Sequence, residues 1–242
     1  LRGYLETGKP CFEDVWIHQH ILDESGKKMS KSLGNVIDPQ EILRDYGAEA
    51  LRFWSAIEGN LAKQDLKCSK DKIQTELKTL TKILNVSKFI MQFKKPKTKP
   101  KLEKLDKLFI DYMEDLTKKA DESYAEYDFH KPMLELRTFL WDTFASHYVE
   151  LVKNRAYNQE NKFSKEQSEA AIYTLYYLLE RFLVLTYPVI PQITSFVAEE
   201  LGFNIFETEF PKFASITEKL ELIPKILEFN SNIWKIKREK SI

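Results

Sequence analysis

Residues 171–201 read AIYTLYYLLERFLVLTYPVIPQITSFVAEEL. Ala171, Leu175, Leu178, Phe182 and Leu185 recur at three- and four-residue steps, the spacing of one face of an α-helix. Just upstream, Ser164 and Gln167 stand three apart, as the two halves of a capping box do. The stretch YPVIP (187–191) ends that helix, and Pro191 suits the first position of another, which Gly202 stops. Two helices joined by so short a link fold back on one another, so this stretch predicts an antiparallel helical bundle.

The same period extends upstream. From Ser69, residues Ile73, Leu77, Leu80, Leu84, Ser87 and Met91 mark a long helix, and KKPKTKP (94–100) breaks it. Leu102, Leu105, Phe109, Tyr112, Met113, Leu116 and Ala120 mark the next. YDFHKP (127–132) reads as a turn. Pro132 opens a helix carried by Leu136, Leu140, Phe144, His147 and Leu151 to about Tyr157. A last helix is predicted from Thr217 to Lys240, where Pro224 could introduce a kink. Aromatic side chains such as Trp141, Tyr173 and Tyr176 read as core rather than as platforms for stacked bases.

Composition limits the classes of function. The chain has 242 residues, 43% hydrophobic and 31% charged, with seven glycines and nine prolines. That suits a globular protein rich in long helices. Net charge is zero, so any attraction for polyanions is local. It is local here: residues 61–107 hold 14 lysines and no arginine against five acids. A solvated helix face with a flexible loop is one reading; a surface for phosphate backbones is the other. Cys11 and Cys68 form no C-x-x-C pair, which points to a reducing, cytoplasmic setting. No apolar run reaches membrane-spanning length, so no membrane partner is expected. The first residue is Leu1 with no leader pattern, so the chain is expected to be part of a longer protein or a separately encoded subunit.

The first third reads differently. In DVWIHQHIL (14–22), Val15, Ile17, Gln19 and Ile21 alternate with Trp16, His18, His20 and Leu22. Such a segment reads as a strand buried on both faces of a parallel sheet. DESG (23–26) turns the chain into GKKMSKSLGN (26–35), just past the carboxyl end of the strand, where open α/β sheets bind ligands. Gly26 and Gly34 permit unusual φ values, and Ser30 and Ser32 carry hydroxyl donors. Lys28 and Lys31 add point charges of the kind that stabilise a leaving pyrophosphate. No Walker A pattern is present. DPQE (38–41) starts a helix, with Asp38 as cap, Pro39 first and Glu41 in capping-box register. It stops near Tyr46–Gly47, and AEALRFWSAI (48–57) is the next helix.

The sequence KMSKS (28–32) resembles the second signature of the class I aminoacyl-tRNA synthetases. HQHILDESGKKMSKSLGNVIDPQEILRDYGAEALRFW (18–54) is similar to the valyl, isoleucyl and leucyl branch. YVELVKNRAY (148–157) and residues 171–201 resemble the helical anticodon-binding domain of its valyl members, archaeal in style. The resemblance implies a mainly α fold. Residues 1–37 would be the end of a Rossmann-like catalytic domain, its last strand and the KMSKS loop. Residues 38–68 would be a stem-contact segment, 69–202 the anticodon-binding bundle, and 203–242 the start of a C-terminal extension.

It also implies an enzyme that ligates an amino acid to tRNA at the expense of ATP, with Mg2+ accompanying the nucleotide. Lys28 and Lys31 would be catalytic, and Lys28, Met29, Ser30, Lys31 and Ser32 would bind ATP. Met29 would anchor the loop by burial. His18 or His20 would approach the adenine, with a structural histidine as the equal alternative and no metal role assigned. Lys153, Asn154 and Arg155 would approach tRNA or serve as surface flanking the core. The first ATP signature of the family, H-x-G-H, is absent. The chain by itself is therefore expected not to activate an amino acid and to need an N-terminal catalytic half as partner. Isoleucyl or leucyl specificity, or a non-catalytic tRNA-binding subunit, remain as alternatives.

Overall fold

A computed structural model describes residues 2–60 and 63–240. The order is α1 (Arg2–Thr7), β1 (Ile21–Leu22), α2 (Pro39–Tyr46), α3 (Ala48–Ile57), β2 (Leu66–Lys67), α4 (Lys70–Met91) and α5 (Lys104–Ala125). Then follow α6 (His130–Thr138), a π-helical segment (Phe139–Tyr148), α7 (Val149–Tyr157), α8 (Lys165–Thr186), α9 (Pro191–Glu200) and α10 (Leu222–Glu239). The fold is mainly α, a bundle of long helices behind a two-stranded sheet.

Helix α8 is the centre of the bundle. The capping box forms as expected: Ser164 Oγ accepts from Gln167 N, and the Gln167 side chain accepts from Ser164 N. Ala171, Leu175, Leu178, Phe182 and Leu185 are fully buried, and so are Leu179 and Leu183 on another side of the helix. A helix apolar on more than one face needs neighbours all round, and α4, α5, α6, α7 and α9 supply them.

The π-helical segment departs from the predicted regular helix over 132–157. Phe139 and Phe144, five residues apart, stack at 5.4 Å with planes 16° apart, and Tyr148 continues the row. An i→i+5 turn brings side chains five apart onto one face. The wide turns thus place three fully buried aromatics on the core side. Asp128 starts α6, its carboxylate accepting from His130 N at 3.0 Å, so the helix begins two residues before Pro132.

Four further expectations are corrected. In α4 the buried face is Ile73, Leu80, Ile83, Val86 and Ile90, while Leu77 is exposed; the packing stripe is rotated from the predicted one. Glu41 does not close a capping box but pairs with Lys70 of α4 at 3.3 Å. The last helix starts at Leu222, because Thr217 is held elsewhere: its N–H and hydroxyl both donate to Asp111 on α5, at 2.7 and 2.9 Å. Pro224 consequently lies in the first turn, where it does not kink the helix.

The fourth correction concerns residues 14–22. Only Ile21–Leu22 is strand, and Val15, Trp16 and Ile17 are exposed. A strand buried on both faces requires layers above and below it. Here it pairs with β2, parallel, with Ile21 opposite Leu66, and Leu22 makes an isolated antiparallel bridge to Lys28. Sequence reading missed β2, whose two residues carry no period.

One buried charge cluster ties α5 to α7. Asp106 is fully buried and accepts from both Arg155 Nη1 (2.8 Å) and Arg155 Nη2, and from the Tyr148 hydroxyl (2.7 Å). Removing the guanidinium would strand a buried carboxylate, which typically costs about 3–5 kcal/mol. Arg155→Ala should therefore lower unfolding stability by about that amount in urea titration; a loss near that of an exposed arginine would refute the assignment.

Candidate nucleotide loop and nucleic-acid interface

The loop at 26–35 leaves β1 through a turn in which Gly26 N donates to Asp23 O and Asp23 N to Lys27 O, both at 2.9 Å. Gly26 has φ +82° and Gly34 φ +64°, values that disfavour side-chain-bearing residues. Between them Lys31–Leu33 forms one 3-10 turn, capped by Ser30, whose Oγ accepts from Leu33 N and lies 3.0 Å from Ser32 Oγ.

Two side chains that sequence reading overlooked hold this loop. Asp23 Oδ1 accepts from Ser25 Oγ (2.7 Å) and Lys27 N (2.8 Å), and Asp23 Oδ2 from Asn35 Nδ2 (2.7 Å). Asn35 in turn accepts from Ser30 N at 2.9 Å and donates to Lys28 O at 3.2 Å. The two residues thus close the loop at both ends. Hydrogen bonds from Asn35, then Lys27 and Ser25, hold the Asp23 carboxyl down at about 2, so it is ionised throughout the neutral range. The available signal was the pair of Asx residues flanking a glycine-bounded stretch.

The predicted ATP-contacting residues lie as follows. Lys28 and Lys31 are exposed, and no acid pairs with either among the described residues. Ser32 is exposed and Ser30 half-buried. Met29 points inward against the hydrophobic cluster, and its sulfur accepts from Ile37 N at 3.5 Å. One loop thus brings two free ammonium groups and two hydroxyls together on an anchored frame, a donor set that suits a polyphosphate. Among the described residues no group of three or more His, Cys, Asp or Glu could hold a metal ion.

His18 packs against Trp16, ring centroids 4.4 Å apart and planes tilted by 53°, and with Phe129 and His130 lines a cavity of about 220 Å³. The ring of His20 lies 3.9 Å from Asp65. Of the three candidates in the bundle, Lys153 pairs with Glu150 at 2.6 Å on the surface and Asn154 is exposed. The Arg155 guanidinium is buried against Asp106 and faces the core. Trp141 donates to Thr79 Oγ1 at 3.0 Å, Tyr176 donates to Phe93 O at 2.7 Å, and Tyr173 stacks on Tyr177.

The lysine-rich stretch runs from the loop side of the bundle along α4 to its far end. Lys70 and Lys72, at the start of α4, pair with Glu41 and Glu58 beside α2 and α3. At its other end, Gln92 accepts from Tyr157 at the end of α7 (3.0 Å). A 22-residue helix spans about 33 Å. Lys94, Lys97, Lys99 and Lys101 are exposed there without an acid partner among the described residues, while Lys95 pairs with Glu180.

The Asp23–Asn35 brace makes a direct prediction for this chain. Asp23→Ala or Asn35→Ala should speed tryptic cleavage after Lys28 and Lys31 severalfold, with cleavage inside α4 unchanged, because proteolysis follows local opening. Equal rates in wild type and variants would show that the loop is held by something else.

Comparison with known proteins follows this division. Residues 3–69 match the family model described as tRNA synthetases class I (I, L, M and V). Residues 106–242 match the model described as anticodon-binding domain of tRNA ligase. Among curated relatives, the valine–tRNA ligase of Aeropyrum pernix is 38% identical over 98% of this chain. That of Pyrobaculum aerophilum is 36% identical over 100%, and that of Nanoarchaeum equitans 37% identical over 98%. The chain spans about 30% of the length of each of these relatives. With the anticodon-binding model covering more than half of the sequence, the chain belongs to the class I tRNA ligase family that carries this domain.

Proposed function

We propose that the chain supplies the KMSKS loop and the tRNA-binding bundle of a valine–tRNA ligase, a cytoplasmic enzyme. The observation that carries the reading is the braced loop with two unpaired lysines, joined in one chain to an anticodon-binding bundle. Likeness to valine ligases over nearly the whole chain supports the choice of amino acid. In this reading residues 1–37 close the catalytic domain, 38–68 contact the tRNA stem, 69–202 form the anticodon-binding domain, and 203–242 begin an extension.

The proposed chemistry has two steps. The valine carboxylate attacks the α-phosphorus of ATP, the α–β bridge bond breaks, and pyrophosphate leaves. A terminal ribose hydroxyl of the tRNA then attacks the aminoacyl carbonyl and AMP leaves. Lys28 and Lys31 lie where charge grows on the departing pyrophosphate, with Ser30, Ser32 and loop N–H groups as further donors. A lysine serves here as a point charge that needs no fixed fork geometry. Mg2+ would be held chiefly by nucleotide oxygens. The H-x-G-H half of the site is to come from a partner segment outside residues 1–242.

At the other end, the lysines of 94–101, the exposed Asn154 and the half-buried Lys153, paired with Glu150, offer a surface for the anticodon arm. Separation by the length of α4 suits a ligand that reaches both ends at once. Arg155 is left out of that surface because its guanidinium is engaged by Asp106.

Lys31→Ala, in the complete protein that carries this chain, should lower the rate of valine-dependent ATP–pyrophosphate exchange by about 100- to 1,000-fold, the scale of losing one charge-stabilising donor. Unchanged exchange would favour a non-catalytic tRNA-binding subunit, and exchange driven by isoleucine or leucine instead of valine would reassign the specificity. The chain itself should bind valine tRNA with an affinity that falls steeply with salt. Replacing Lys97 and Lys99 by alanine should reduce the slope of log affinity against log salt by about two, one per phosphate contact; an unaltered slope would remove this loop from the interface.

A further inference from the structure

Helix α3 meets the corner between α8 and α9 through two side chains one turn apart. The Glu49 carboxylate accepts from Gln192 N at 2.9 Å and from Ile193 N at 2.8 Å. These are first-turn donors of α9, which has no side-chain cap of its own and carries Pro191 at its start. A carboxylate there satisfies orphan N–H groups and complements the positive end of the helix. The Arg52 guanidinium donates to Val189 O at 2.7 Å and to Pro188 O at 3.1 Å, carbonyls just past the end of α8. In an isolated helix Glu49 and Arg52, three apart, would face one another as a pair. Here each instead grips one side of a corner about 140 positions away in sequence.

This latch stands between the two functional ends. Trp16 and His18, on the segment entering β1 and the loop, line the same cavity as Arg52, Pro188 and Val189. Met29 of the loop and Ile37 after it pack against the hydrophobic cluster that contains α2, α3 and the bundle. On the other side of the corner, α8 runs back to the lysine-rich end, where Tyr176 bonds Phe93 O.

We propose that Glu49 and Arg52 are positioning residues that set the angle between the phosphate loop and the tRNA-holding bundle. Neither touches substrate; both act through the α8–α9 corner. The inference rests on the synthetase reading above and gives it a specific consequence. Amino-acid activation involves the loop and small molecules alone. Transfer needs a tRNA that is held at the far end of the bundle and delivered to the same centre. Loosening the corner therefore impairs transfer and spares activation.

The test compares wild type, Glu49→Gln, Arg52→Ala and Arg52→Lys in the complete protein that carries this chain. ATP–pyrophosphate exchange and tRNA aminoacylation are measured side by side, with kcat and the KM for tRNA. Exchange should stay close to wild type. Aminoacylation efficiency should fall on the order of 100-fold in Arg52→Ala, the scale of a misplacement of about 1 Å. Arg52→Lys, which keeps one charged donor, should recover part of the loss. Exchange and aminoacylation falling in parallel, or neither falling, would overturn the proposal. Should Arg52→Ala fail to fold, Glu49→Gln decides by the same split. Absence of exchange in the wild type would instead fail the synthetase reading on which the latch rests.

Discussion

Helix α8 is apolar around much of its circumference, and water cannot cover any of those faces without cost. Leu175, Leu178, Leu179, Phe182, Leu183 and Leu185 are all fully buried, each worth about 1.5–3 kcal/mol relative to exposure. This demand explains the order of the other helices around it. In the π turns before α7, Phe139 and Phe144 form one stacked row in the core, and Phe139 also meets Tyr112 of α5. The polar contacts then specify how the surrounding helices are set. Asp106 with Arg155 aligns α5 and α7, the Tyr124 hydroxyl on Leu185 O aligns α5 and α8, and the Asn230 amide meets His147 Nδ1 where α10 lies on the π segment.

Carboxylates recur as organisers of backbone in this molecule. Asp23 collects donors from a turn, Glu49 caps a helix across the domain, and Asp111 gathers the N–H groups of Thr217 and Glu218. Glu114 does the same for Ala214 while accepting the Tyr177 hydroxyl. Each converts a segment without regular hydrogen bonding into one with a defined position, because buried or half-buried N–H groups must find acceptors. The chain can thus present one exposed loop of free lysines on a frame that is itself well determined. Lys28 and Lys31 have no acid partner among the described residues, while Arg155 and Arg137 are paired between helices.

Much of this was legible in the residues. The capping box at Ser164–Gln167, the helix Ala48–Ile57, the stop at Gly47 and the restart at Pro191 all follow from local chemistry, since caps and prolines act within a turn of themselves. The KMSKS stretch was legible because its residue order is specific. Less was legible in α4, where the hydrophobic and polar stripes overlap and Glu76 and Thr79 are buried beside Ile73, Leu80 and Ile83. Arg155 was misleading for a related reason: a lysine, an asparagine and an arginine in succession look alike as letters, yet a helix turns them 100° apart and only the arginine meets Asp106.

What the sequence by itself determined is the set of elements with strong local signals: the long helices, their caps, the turn at 23–26 and the likeness of residues 28–32 to the KMSKS signature. These depend on neighbours within about four positions, a range over which helix chemistry is self-contained. What only the tertiary structure decided is every contact between distant segments. The parallel pairing of β1 with β2, the Asp23–Asn35 closure of the loop, the burial of Arg155 and the grip of Glu49 and Arg52 on the α8–α9 corner belong to this class. The partners of Arg155, Glu49 and Arg52 are brought together by helices that pack around α8. No local period records that packing, because each contact involves only one or two residues from each side.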